Sequence, residues 1–144
     1  MYDEILIPTD GGPAAHTAVS HAISLAQGFD ARVHALFVVD AGAYAPMGSG
    51  AAVLMDALRA DGEDAVQQVT ERATEVGLDT VDTVTTGTAH SQIIEYADQN
   101  AIDLIVMGTH GRQGLNRYLL GSVTERVVRS ADVPVLTVSQ PDED

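Results

Sequence analysis

The stretch Asp103-Leu104-Ile105-Val106-Met107 carries four large apolar side chains in unbroken succession, and a glycine follows at once. A strand with one face in water alternates apolar and polar residues. A short run that does not alternate reads as a strand covered on both faces, as in a parallel sheet between layers of helix. Glu4-Ile5-Leu6-Ile7-Pro8 repeats the pattern, and Arg32 to Val39 and Val133-Pro134-Val135-Leu136-Thr137-Val138 read as further strands. Thr80 to Thr85 alternates Val81 and Val84 with polar residues, and its inward face is left open. Between these runs the spacing turns helical. Gly12 and Pro13 open a helix with Ala15, Ala18, Ala22, Leu25 and Ala26 on one face, and Gly28 is expected to end it. Val53 to Val76 puts Leu58, Ala65, Val69, Ala73 and Val76 on one stripe, with Gly62 weakening its first half and Gly77 stopping it. Ala89 to Asn100 and Val123 to Ser130 supply two more helices. The glycine- and proline-rich residues 41–51 read as a loop. Strand alternating with helix implies an α/β fold: an open parallel sheet with helices on both faces.

The chain has 144 residues, enough for a single domain over 1–140, followed by an acidic tail at 141–144. No apolar run approaches the roughly 18 residues of a membrane span, and no basic region leads into an apolar one at the start. The expectation is a soluble, cytoplasmic protein. Without cysteine there is neither a disulfide nor a thiolate metal site. The formal charge is −14, from 21 acids against seven arginines and no lysine. Such a surface disfavours nucleic acid and anionic membrane as partners. Scattered acids, no lysine and many small residues fit a cytoplasm of high salt, where screening removes self-repulsion. A plainly acidic, soluble protein is the alternative.

The residues after the strongest strand, GTHGRQGLNRYLLGSVT at 108–124, gather glycine, hydroxyls and scarce positive charge. Phosphates bind where backbone N–H groups converge at the start of a helix. Gly108 ends the strand, Gly111 permits a tight turn, and Gly121 stands just before Ser122, at the expected helix start. Arg112 and Arg117 offer guanidinium donors to anionic oxygens. The spacing is neither GxxxxGK[ST] nor GxGxxG. A structural reading stands beside the functional one: Ser122 and Glu125 form S-x-x-E, a capping box available to any helix, and the glycines and arginines serve as turn punctuation and solvated surface. In open parallel sheets ligands sit beyond the carboxyl ends of the strands, where Pro8-Thr9-Asp10 and Gly108 both fall.

These residues resemble the universal stress protein family, in its ATP-binding branch. The motif G-x2-G-x9-G-[ST] is matched by Gly108, Gly111, Gly121 and Ser122, and the likeness runs from Ile5-Leu6-Ile7-Pro8-Thr9-Asp10 to Val138. It implies a five-stranded parallel sheet in the order 3-2-1-4-5, Rossmann-like and close to the adenine nucleotide alpha hydrolase type. It further implies that Thr9, Asp10 and Val38 line the adenine and ribose, with Pro8 leading in, and that Met107, Gly108 and Thr109 continue that wall. Gly111, Arg112, Gln113 and Gly114, with Gly121, Ser122, Val123 and Thr124, would wrap ribose and phosphates. His110 lies inside that cradle. Two departures stand out: Gly12 occupies a position where the family often has serine, and Gly114 one where a side chain is common.

The implied ligand is ATP, or ADP or AMP in its place, with Mg2+ carried by the phosphates. Asp10, near the nucleoside, is poorly placed to drive attack at a terminal phosphate, and the arginines can bind phosphate without turnover. A nucleotide-binding stress or signalling module therefore ranks above a slow ATPase, and a nucleotide-free adaptor ranks third. His16, His21, His34 and His90 show no compact ligand spacing, so no protein-bound metal is expected. The resemblance also implies a homodimer through the last strand, Val133 to Val138, an apolar edge. Pro134 and the acidic tail offer the opposite outcome, a blunted edge and a monomer.

Overall fold

The structure, a computed structural model, describes residues 1–40, 50–109 and 121–139. Its elements are β1 (Glu4–Pro8), α1 (Pro13–Phe29), β2 (Arg32–Val39), α2 (Gly50–Glu75), β3 (Thr80–Thr86), α3 (Ala89–Gln99), β4 (Leu104–Gly108), α4 (Ser122–Ser130) and β5 (Val135–Val138). The strands form one five-stranded sheet in the order β3-β2-β1-β4-β5, and every neighbouring pair is parallel. Both the strand alternation and the implied order are found.

The unbroken apolar runs serve two cores at once. Ile5 and Ile7 point to one face of the sheet, where they meet Ala18, Ala22 and Ala26 of α1 and Val66, Val69 and Ala73 of α2. Leu6 points to the other, against Ile93 and Ala97 of α3 and Val127 of α4. Side chains alternate along a strand, so a strand buried on both faces must be apolar throughout. The alanine stripe of α1 has the same origin, because small residues let a helix lie close to the sheet.

Several boundaries differ from the sequence reading. Gly28 does not end α1, which continues to Phe29 and closes on Asp30 at φ 54°, its N–H donated to Ala26 O. Aspartate tolerates that left-handed conformation better than most residues. Gly77, by contrast, does turn the chain after α2, at φ 84°. The last strand begins at Val135 rather than Val133: its register with β4 opens with Val135 opposite Ile105, whose N–H donates to Pro134 O at 3.0 Å. Helix α2 starts earlier than Val53, at Gly50. Gly62 has a packing role: a Cβ there would come within 2.5 Å of the Phe37 ring.

One polar network crosses the second core. His34 on β2 is buried, with Nε2 at 2.7 Å from Glu4 Oε1 and Nδ1 at 2.7 Å from the Tyr96 hydroxyl of α3. In the neutral tautomer whose Nε2–H donates to the Glu4 carboxylate, Nδ1 is the acceptor for the Tyr96 O–H. The histidine thus ties two strands to a helix, and it is a structural residue. Burial holds the Tyr96 hydroxyl above its ordinary pKa of 10.0; a hydrogen bond from Thr83 opposes this, while the charges of Glu4 and Asp82 add to it. A raised value means the folded chain keeps a proton that the unfolded chain has released. The associated stability is whole below about pH 10 and is lost as pH rises through the folded value. Tyr96→Phe is expected to cost about 1–3 kcal/mol near neutrality by stranding His34 Nδ1. It should then lose less further stability than wild type in alkaline urea titrations. A parallel decline in both proteins would contradict this account.

Candidate nucleotide site at the carboxyl edge of the sheet

β1 lies between β2 and β4, and the chain leaves β1 and β4 on the same edge toward helices on opposite faces. A crevice opens where strand order reverses in this way. Its first wall is the β1–α1 turn. Thr9 N–H still pairs with Leu36 O at 2.9 Å, continuing the sheet one residue beyond Pro8. Thr9 Oγ1 then accepts from Gly11 N–H at 3.1 Å, and Asp10 Oδ1 accepts from Gly12 N–H at 2.8 Å. Gly11 sits at φ 78°, a conformation that suits glycine. These two side chains build the turn, and the second oxygen of Asp10 retains its capacity to accept from a ligand hydroxyl or amino group.

The second wall is the end of β4. Met107, Gly108 and Thr109 are buried, and Val38 across the crevice is half-buried on the same face as Met107. Gly108 is dictated by packing. A Cβ there would lie 2.9 Å from both the carbonyl carbon and the Cβ of Ala14, in the first turn of α1. Without it, the α1 start seats directly against β4.

The third wall is the start of α4. Gly121 is its N-cap, with no side-chain cap hydrogen bond, and the exposed Ser122 hydroxyl belongs to the first turn. The capping box suggested by Ser122 and Glu125 does not form. The helix begins one residue too early for Ser122 to cap it, and the Glu125 carboxylate instead pairs with Arg129 at 2.7 Å. Among the described residues, no side chain caps the early N–H groups of α4, which suits an anion. Thr124 is committed otherwise: its buried hydroxyl donates to Gly108 O at 2.8 Å, locking α4 to β4. Gly121 N–H donates to Thr109 O at 2.7 Å, and Thr109 N–H to Val138 O at 3.0 Å. The two ends of the glycine-rich segment are therefore pinned together and to β5.

Pro8, Thr9, Asp10, Val38, Met107, Gly108, Thr109, Gly121, Ser122, Val123 and Thr124 thus gather at one edge of the sheet. His110, Gly111, Arg112, Gln113 and Gly114 lie outside the described residues, as does the 141–144 tail. The tie from Thr124 to Gly108 was not anticipated. The only signal in the sequence is a threonine two residues into a helix that follows a glycine-ended strand. Among the described residues, no helix is long and apolar enough to cross a membrane.

Comparison with known proteins bears on the same residues. The family model described as the universal stress protein family matches residues 1–139. Universal stress protein MJ0531 of Methanocaldococcus jannaschii is 40% identical over 143 residues, covering 98% of this chain and 84% of that protein. The solved structure of MJ0577, from the same organism, superposes with a TM-score of 0.89 at 29% identity, covering 99% of each chain. A universal stress protein solved in complex with cAMP is 25% identical, with a TM-score of 0.74 over 95% of this chain and 97% of that one. The match spans every element from β1 to β5, and the chain belongs to the universal stress protein family.

Proposed function

We propose that the chain binds an adenine nucleotide, ATP in the first place, in the crevice between the ends of β1 and β4, as a nucleotide-dependent stress or signalling module. The observation that carries this reading is the α4 start. It is a helix N-terminus with no side-chain cap, preceded by Gly121 and opened by an exposed serine, beside a strand end stripped of its Cβ. The base and ribose would lie against Val38, Met107 and the Asp10 turn, and the phosphates against Gly121, Ser122 and Val123. The cAMP complex of a related protein supports an adenine ligand for this fold. Thr124, whose hydroxyl is spent on Gly108, would serve by positioning α4 rather than by touching phosphate. Arg112, the other residues of 110–114, and Mg2+ carried on the phosphates complete the reading.

A homodimer through the outer edge of β5, which no described strand pairs, belongs to the same proposal. Leu136 on that edge is exposed, as are Val123 and Val128 on α4, and an apolar edge strand favours pairing.

The test is mass spectrometry of nucleotide released from denatured protein, followed by calorimetric titration with ATP and Mg2+. Wild type is expected to carry or take up about one equivalent. Gly121→Val, which places a branched side chain at the helix start, should bind at least about a hundredfold more weakly, the scale of losing a few charge-assisted contacts. Wild type that neither carries nor binds adenine nucleotide would overturn the reading. Appearance of ADP during incubation would instead favour slow hydrolysis.

A further inference from the structure

A groove between α1 and α2, on the sheet face away from α3 and α4, has a polar end that the nucleotide reading does not use. Its walls include His16 of α1 and Gln68 and Arg72 of α2, and its inner end reaches the Thr9–Gly12 turn. Val19, Ala65 and Val69 contribute apolar surface. Among the described residues, none that lines it is acidic, in a chain with 21 acids. Arg72 is held in place, with Nη2 donating to Ser20 Oγ at 2.6 Å and Nη1 reaching His16 O at 3.4 Å. Those two contacts leave most of the guanidinium's donors for something else. Gln68 and His16 also line the groove, and each has a side chain able to donate an N–H.

We propose that this groove binds a single small monovalent anion of halide size. A fixed guanidinium with spare donors, in a lining that holds no carboxylate among the described residues, favours an anion over a cation. The space is about 10 Å³, which admits one water-sized occupant and not a phosphate chain. The apolar residues suit a weakly hydrated halide better than strongly hydrated phosphate or sulfate. The groove shares Thr9 and the β1–α1 turn with the nucleotide crevice, while Arg72, Gln68 and His16 belong to the groove alone. An ion there would rest against the back of the turn that carries Asp10.

The test is a crystal of the full chain grown in bromide, read by anomalous scattering, paired with chloride-35 line broadening in solution. Bromide is expected among Arg72, Gln68 and His16. Arg72→Met should lower the solution affinity by about tenfold or more, the scale of one hydrogen bond to a charged group. Gln68 is exposed, so Gln68→Leu provides a second variant with little risk to folding. It should weaken the broadening while leaving the Arg72–Ser20 contact in place. Bromide absent from the groove at about the molar halide level where weak sites fill would overturn the proposal. So would line broadening unchanged in both variants.

Discussion

Gly108→Val is expected to lower stability by about 3 kcal/mol or more, the upper end of overpacking penalties. The physical cause is the contact between the end of β4 and the first turn of α1. Even the first carbon of a side chain at 108 would sit 2.9 Å from the Ala14 carbonyl carbon and 3.0 Å from its oxygen. Those are backbone atoms and cannot swing aside as a side-chain tip can. Either α1 withdraws from the sheet, uncovering the core around Ala18 and Ala22, or β4 shifts and breaks the Thr124 bond to Gly108. Gly28→Ala is the matched control. Nothing lies within 4 Å of a Cβ there, and the residue is inside α1. That change should stabilise by about 0.5–1 kcal/mol through helix propensity. Urea unfolding of the two variants against wild type checks both signs. A Gly108→Val protein as stable as Gly28→Ala would mean that the α1–β4 approach is not rigid.

Dilution from molar salt to below about 0.1 M, where the Debye length passes roughly 10 Å, is expected to unfold the chain. Even if every arginine took one carboxylate, the net charge of −14 would leave that many acids without a cation. Among the described residues, arginine pairs with glutamate at Arg32–Glu4, at 3.6 Å, and Arg129–Glu125, at 2.7 Å. Both pairs have exposed members and contribute little in themselves. Unscreened, the remaining charges repel across a small surface and favour the expanded state. Circular dichroism during stepwise dilution, with potassium chloride restored afterwards, reads the effect directly. Helix signal lost and then regained would tie this composition to a high-salt setting. Full structure retained at low salt would leave the charge as a matter of solubility alone.

The sequence made most of the architecture legible because the relevant signals are local. Continuous apolar runs such as Ile5-Leu6-Ile7 and Leu104 to Met107 mark strands buried on both faces, and alanine spacing marks α1. Each reports an environment through residues next to it in the chain. Glycine was ambiguous for the opposite reason. Gly77 turns the chain, Gly28 does not end its helix, Gly62 makes room for Phe37, and Gly108 makes room for Ala14. Nothing beside a glycine in sequence says whether its missing side chain serves a turn or a distant neighbour.

The candidate site divides in the same way. The residues of the β1 end and of the glycine motif could be named from sequence, through a family pattern whose spacing is long and specific. Their roles could not. Ser122 looked like half of a capping box, and only the start of α4 leaves it open. Thr124 looked like a phosphate donor, and only the approach of β4 gives its proton to Gly108. His34 had no visible purpose until β1, β2 and α3 brought Glu4 and Tyr96 to its two nitrogens. The sequence alone therefore determined the fold class and the element order, and it pointed to the edge of the sheet proposed for a ligand, since apolar periodicity and turn chemistry act over a few residues. The tertiary structure decided which hydroxyls and glycines hold the fold and which face the crevice, because hydrogen bonds and close approaches join residues far apart in the chain.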